Sequence, residues 1–229
     1  ASRYQPALQF CEMLKMDALV RKHPGTLAMA KYTEAMRPIG AQLVGSKPEI
    51  AGEAGRIVQD LGFDVIDLNC GCPVDKVTKD GSGSGLLRTP QKIGDIVTEL
   101  RHATDLPVSV KVRIGWDDDS LIVPELVRIA EAAGAVAITI HGRTREQGYS
   151  GAARWEQIRL AKEAAKEILV IGNGDLFTPE DVQKMFDETG VDGVLLARGT
   201  MGAPWLVEQV RDFLENGSYR QRGPLERLQ

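Results

Sequence analysis

The chain has 229 residues, 43% hydrophobic and 26% charged, with a formal net charge of −4. That balance suits a soluble globular protein with one sizeable core, gives no global basic field for nucleic acid, and includes no apolar run of about 18 residues able to span a membrane. Three cysteines (Cys11, Cys70, Cys72) and three scattered histidines (His23, His102, His141), with no basic stretch leading into an apolar core at the start, point to a reducing, cytoplasmic setting without a disulfide framework, zinc site or secretory signal.

From the N-terminus, a possible strand falls at 7–10 and a clear one at 39–44, followed by a helical pattern at 48–61. Strand-like apolar runs recur at 64–68, 108–112, 137–140, 168–171 and 193–196. Helical patterns separate them at 90–103, 120–133, 155–167 and 179–189, and a last one covers 202–215. In 120–133, Leu121, Val123, Leu126, Ile129 and Ala130 make one apolar stripe. Pro90, Pro179 and Pro204 sit near helix starts, where a missing N–H costs little.

Strands alternating with helices imply βα units on a parallel sheet. Gln42, Asn69, Lys111, His141, Asn173 and Arg198 each fall at or just after the C-terminal end of a strand. One active face built by every strand favours a TIM (β/α)8 barrel over an open doubly wound sheet, where function gathers at one switch point. The count is short by about one strand at the N-terminus. The barrel domain is expected over 1–216, with a polar tail over 217–229.

The segment Asn69-Cys70-Gly71-Cys72-Pro73 places two thiols just past a strand end. Cys72, flanked by Asn69, Gly71 and Pro73, is the candidate for chemistry; Cys70 is expected to pack. The polar, glycine-rich stretch 74–85 reads as a mobile loop over the site. Gly172-Asn173-Gly174-Asp175 and Ala197-Arg198-Gly199 end the last two strands, where barrels commonly receive phosphate on backbone N–H groups and a helix N-terminus; Arg198 adds a matching charge. Lys111, inside a β-branched run, needs an anionic or electron-rich ligand to justify its burial. His141, followed by Gly142 and Arg143, can donate or relay a proton. Gln42 can bond a flat heteroaromatic ring from its edge. The run Asp117-Asp118-Asp119-Ser120 reads as a solvated loop ending in a helix cap.

As a set and in this order, these motifs resemble the tRNA-dihydrouridine synthases. They include Ala41-Gln42-Leu43-Val44-Gly45-Ser46, Asp67 to Pro73, Val110 to Gly115 and His141 to Thr144. The Asn-Cys-Gly-Cys-Pro wording and the stretch His141 to Tyr149 are most similar to the bacterial C-type subgroup, which acts on a D-loop uridine. The resemblance implies a flavin enzyme on a TIM barrel, with FMN as cofactor, NADPH as reductant and tRNA as substrate. It implies that Gln42, Lys111, His141, Asn173, Gly174, Asp175, Ala197, Arg198 and Gly199 hold FMN. By the same resemblance Asn69 and Arg143 meet the substrate, and Cys72 is the general acid. It further implies that the family's first strand and its C-terminal helical, tRNA-gripping domain are missing here, the tail 217–229 being the start of the latter. Two alternatives stand beside this: an FMN barrel reductase of a free small molecule, and a non-catalytic tRNA-binding remnant.

Overall fold

The computed structural model describes residues 2–223; residues 224–229 of the expected polar tail lie outside them. Strand formation follows a period-two pattern. In β4 (Val65–Cys70), Ile66, Leu68 and Cys70 alternate with Asp67 and Asn69. In β5 (Val108–Arg113), three valines alternate with Ser109, Lys111 and Arg113. In β6 (Ala137–His141), Ile138 and Ile140 alternate with Thr139 and His141. Successive strand residues face opposite sides, so one side of this sheet is apolar and the other polar.

The apolar side is the core. There Ile66, Leu68, Val110 and Ile138 join Val58 of α3 (Pro48–Asp60), Ile96 and Leu100 of α5 (Gln91–Ala103) and Leu126 of α6 (Val123–Ala132) in one cluster. Burying each such Leu or Ile stabilises the fold by about 1.5–3 kcal/mol relative to exposure. The polar side faces inward, and its upper residues form the site.

All strand pairs are parallel. β3 (Ile39–Val44), β7 (Leu169–Asn173) and β8 (Gly193–Val194) complete the order β1-β3-β4-β5-β6-β7-β8. β1 (Gln9–Phe10) and β2 (Leu14–Lys15) both pair with β3, at Ile39–Gly40 and at Leu43–Val44. They share one strand position, interrupted at 11–13. Among the described residues β8 does not pair with β1, and the curled sheet is open along that seam. Parallel strands alternating with covering helices make this a TIM-type (β/α) barrel sheet. Among the described residues no helix is long and apolar enough to cross a membrane.

The structure departs from the sequence reading in several places. Two short helices, α1 (Met16–Val20) and α2 (Pro24–Met29), fill a stretch with no predicted element; neither has a side-chain cap. The expected mobile loop at 74–85 is folded, as α4 (Asp75–Thr78) and a 3-10 turn from Gly83. Asp80 ties it down: its carboxylate accepts from Lys15 Nζ at 2.8 Å and Ser82 N at 3.1 Å, and its carbonyl from Ser46 Oγ at 2.7 Å. Helix α6 starts at Val123, and Ser120 is no cap; its hydroxyl donates to Asp117 at 2.6 Å. Helix α7 (Trp155–Ala164) stops short of 167 because one Glu131 carboxylate oxygen accepts the N–H groups of Lys166, Glu167 and Ile168. Helix α8 (Pro179–Thr189) has sharp ends, a Thr178/Asp181 capping box and Gly190 at φ 67°, as sequence rules lead one to expect. In α9 (Leu206–Asn216), Arg211 donates to the carbonyl of Tyr4 at 2.7 Å, joining the two ends of the described chain.

Candidate functional site

The inward polar residues converge on one cleft of about 360 Å³ at the C-terminal ends of the strands. Cross-strand register sets their layout: Gln42 lies opposite Asp67, Asn69 opposite Lys111, Arg113 opposite His141, and His141 opposite Asn173. Cys72 and the loops 173–177 and 197–199 complete the wall.

The peptide around Cys72 is held from three sides. Asn69 Oδ1 accepts from Gly71 N at 3.1 Å and Cys72 N at 2.9 Å, closing an Asx turn. Ser84 donates to the Cys72 carbonyl through its hydroxyl and its backbone N–H, each at 3.0 Å. Arg113 Nε donates to the Gly71 carbonyl at 2.8 Å. Gly83, at φ 57°, must be glycine, because a Cβ there would lie 2.8 Å from the Cys72 carbonyl oxygen. The Cys72 side chain itself lines the cleft and is half-buried. Cys70 is fully buried in the core, where burial and the nearby Asp67 charge push its thiol pKa well up.

Below Cys72 lies a buried polar chain. Asn69 Nδ2 donates to Gln42 Oε1 at 2.8 Å, Gln42 Nε2 donates to Asp67 at 2.7 Å, and Ser109 Oγ donates to the other Asp67 oxygen at 2.7 Å. Burial raises the Asp67 pKa, opposed by these hydrogen bonds and by Lys111. Lys111 lines the cleft floor with no hydrogen bond or ion pair among the described residues. Burial lowers its pKa, and the Asp67 charge opposes that shift.

On the opposite wall Asp175 is a hub. Its carboxylate accepts from Arg143 Nη2 at 2.7 Å, Ala153 N at 2.8 Å and Arg198 Nη2 at 3.0 Å. Burial alone would raise its pKa; those hydrogen bonds and the two guanidinium charges hold it below the usual carboxylate value. Asp175 sits at φ 56°, a left-handed backbone rare outside glycine and asparagine-like residues. Gly199 brings the two loops into backbone contact, since a Cβ there would lie 2.2 Å from the Leu176 carbonyl oxygen. The N–H groups of Gly174 and Gly199 have no partner among the described residues. Arg198 is one-third exposed and lies 4.5 Å from the Tyr149 ring centre.

Three expectations change on this geometry. Arg143 does not line the cleft. It is 3% exposed behind it, bonded to Asp175 and to the carbonyls of Ser150 and Gly151, so it supports the wall. His141 lines the cleft, but burial and the cations Arg113, Lys111, Arg143 and Arg198 push its pKa down to about 3. It is therefore a neutral imidazole at pH 7, a hydrogen-bonding group and no imidazolium donor. Asn69 also lines the cleft, yet its amide already serves the Cys72 turn and Gln42.

A family model described as dihydrouridine synthase (Dus) matches residues 1–228. The chain belongs to the dihydrouridine synthase family. Among curated relatives, a probable tRNA-dihydrouridine synthase 1 of Synechocystis is 40% identical over 96% of this chain and 61% of its own length. Probable tRNA-dihydrouridine synthases of Mycobacterium tuberculosis and Rickettsia prowazekii are 42% and 43% identical over 89% and 94% of the chain. The chain spans only 53% and 66% of those two proteins. Among solved structures, histamine dehydrogenase from Rhizobium sp. 4-9 superposes with a TM-score of 0.69 at 15% identity, over 92% of this chain and 42% of that one. Mandelate oxidase gives 0.59 at 18% identity, over 93% and 67%; likenesses this distant speak to the fold alone.

Within the family's barrel, sequence reasoning missed several members of the site. Asp67, Ser109 and Arg113 stand on the polar side of β4 and β5, and Met13 and Phe177 line the cleft. The alternation Val-Ser-Val-Lys-Val-Arg in β5 carried the signal for Ser109 and Arg113. No group of three or more His, Cys, Asp or Glu side chains suited to a metal occurs among the described residues.

Proposed function

We propose that this chain is the catalytic barrel of a flavin-dependent tRNA-dihydrouridine synthase. In this reading FMN is the flavin, NADPH the reductant, and a uridine of tRNA, in the D-loop, the substrate; the setting is the cytoplasm. The observation that carries the reading is the pairing in one cleft of the Cys72 thiol with the Lys111 ammonium, which has no hydrogen-bond or ion-pair partner among the described residues. The family membership and the names of its relatives point the same way.

The residues present fit FMN. Lys111 would offer a positive charge to an electron-rich ring, and Gln42 keeps one uncommitted N–H that could bond it. The free N–H groups of Gly174 and Gly199, with Arg198, form a donor set for a phosphate. Asn173, whose Nδ2 donates to the Leu195 carbonyl at 2.8 Å, holds the strand end between them, and Ala197 shapes the second loop. Neutral His141 gives a hydrogen bond without adding repulsion to the four cations around it.

When bound, the flavin supplies the hydride for uracil C6, drawn ultimately from NADPH. Negative charge then builds on the uracil toward C5 and O4, and the Cys72 thiol delivers a proton to C5 from the other face. The thiolate left behind regains a proton from water. The Asn69 turn, Ser84 and Arg113 hold the thiol in place, and Asp175 holds Arg198 at the phosphate end.

The test uses the full-length protein. Purified protein should take up FMN, oxidise NADPH, and add two hydrogens to a uridine in unmodified tRNA, read by mass spectrometry of the nucleosides. Reduction of free uracil with tRNA left unchanged, or no FMN uptake on reconstitution, would overturn it.

A further inference from the structure

The hydrogen-bond chain beneath Cys72 can run in only one direction, and that gives Asp67 a task. Gly71 N and Cys72 N are backbone donors and cannot accept. The Asn69 atom facing them at 3.1 and 2.9 Å must therefore be its oxygen, which turns Asn69 Nδ2 toward Gln42. The Gln42 atom it meets must be Oε1, which turns Gln42 Nε2 toward Asp67 at 2.7 Å. The relay needs an acceptor at its end. Asp67 supplies it, 2% exposed, with its second oxygen taken by Ser109. Gln42, Asp67 and Ser109 are cross-strand neighbours on β3, β4 and β5, so the backbone register builds the relay.

We propose that Asp67 is a positioning residue for Cys72, acting as the fixed terminal acceptor that sets both amide orientations above it. Asp67 touches neither cofactor nor substrate. Loss of its acceptor frees the Gln42 amide to flip, and Asn69 then loses the donor–acceptor match that holds the Cys72 turn. The role deepens the function proposed above and rests on it where turnover is the readout.

The direction of the relay makes a reversal test possible. In Asn69→Asp, both oxygens of the new carboxylate accept. Gln42 must flip to donate upward, and its oxygen then meets the Asp67 carboxylate, acceptor against acceptor. In Asp67→Asn alone the hydrogen bonds persist, but the negative charge beside Lys111 is lost. In the double variant every group is matched again with the relay reversed. The new amide at position 67 donates to Gln42 Oε1, and Gln42 Nε2 donates to the new carboxylate at position 69. Ser109 donates to the amide oxygen at position 67. The same negative charge is kept, moved to the cross-strand neighbour of Lys111.

Two readouts are used on the full-length protein. One is the rate of iodoacetamide alkylation at Cys72, located by peptide mass spectrometry; the other is kcat for dihydrouridine formation at saturating tRNA. Asn69→Asp should alter the alkylation rate and lower kcat by about tenfold or more, the scale of one buried unmatched polar contact. Asp67→Asn should lower kcat a few-fold in the wild type, yet raise it in the Asn69→Asp background, bringing alkylation back toward the wild-type rate. If Asn69→Asp does not fold, the double variant should, with wild-type-like alkylation. A double variant as impaired or as unfolded as Asn69→Asp overturns the role of Asp67. So does an Asn69→Asp protein with wild-type alkylation and kcat. The alkylation rates stand whether or not tRNA is the substrate, so failure of the relay and failure of the proposed function read out separately.

Discussion

Replacing Asp175 by Asn tests the electrostatic hub of the wall proposed to hold phosphate. The substitution keeps the size and tolerates the left-handed backbone at φ 56°, so it changes the charge and one acceptor and little else. It removes the charge assistance from the hydrogen bonds to Arg143 at 2.7 Å and Arg198 at 3.0 Å, and leaves one acceptor oxygen where there were two. Arg143 is only 3% exposed, so its half of the loss is poorly compensated by water, although the carbonyls of Ser150 and Gly151 still hold it. A charge-assisted hydrogen bond contributes about 1.5–3 kcal/mol, while the more exposed Arg198 pair adds about 0–1. The expected loss is about 2 kcal/mol, or a Tm lower by roughly 4–8 °C for a chain of this size. The pH dependence has a definite sign. Asp175 has a depressed pKa in the fold, so its contribution is full above the unfolded value of about 3.9. It fades as pH falls through the folded pKa. Denaturant melts of both proteins should differ by a constant amount near neutrality, and the difference should narrow below about pH 5. Equal stability at pH 7, or a gap that does not shrink on acidification, would refute the hub.

Two further outcomes follow from single residues. Gly199→Ala should force the loops at 174–177 and 198–200 apart, because its Cβ would sit 2.2 Å from the Leu176 carbonyl oxygen; FMN affinity in a fluorescence titration should fall at least about tenfold, the scale of one lost phosphate-binding hydrogen bond. His141 should show no protonation by NMR between pH 8 and pH 5, the range in which an ordinary imidazole of pKa about 6.5 titrates. Because its folded pKa of about 3 lies below the unfolded value of about 6.5, wild-type stability should drop relative to His141→Gln as pH falls below about 6.5.

Most of the fold was legible because apolar periodicity survives in single sequences. The strands of the predicted core fell within a residue or two of β3 to β7. What the sequence hid has physical causes. Met16 and Leu19 anchor α1 by tertiary burial alone, with no cap or long stripe to announce it. The 74–85 segment looked like a free loop because its tethers, Lys15 and Ser46, lie far away along the chain. In the site, residues after strands were easy to find, since a barrel puts them on one face. Their roles were harder to read. Arg143 has the same residue type and neighbourhood in sequence as a ligand-binding arginine, and only its burial behind Asp175 separates the two. Asp67 escaped notice because it was read as part of the apolar run 64–68, and Arg113 because it falls one residue past the expected strand 108–112; the period-two alternation assigns both to the inner face.

The proton donor is the centre of the mechanism, and the two thiols beside Gly71 allow a paired measurement. Full-length Cys72→Ala and Cys70→Ala proteins are loaded with FMN, reduced with NADPH, and given unmodified tRNA, with dihydrouridine quantified by mass spectrometry. Cys72→Ala should hold a flavin that NADPH still bleaches, yet form little or no dihydrouridine. Cys70→Ala, a small loss in the core, should retain most of its turnover. Full dihydrouridine formation by Cys72→Ala, or its selective loss in Cys70→Ala, would contradict the assignment.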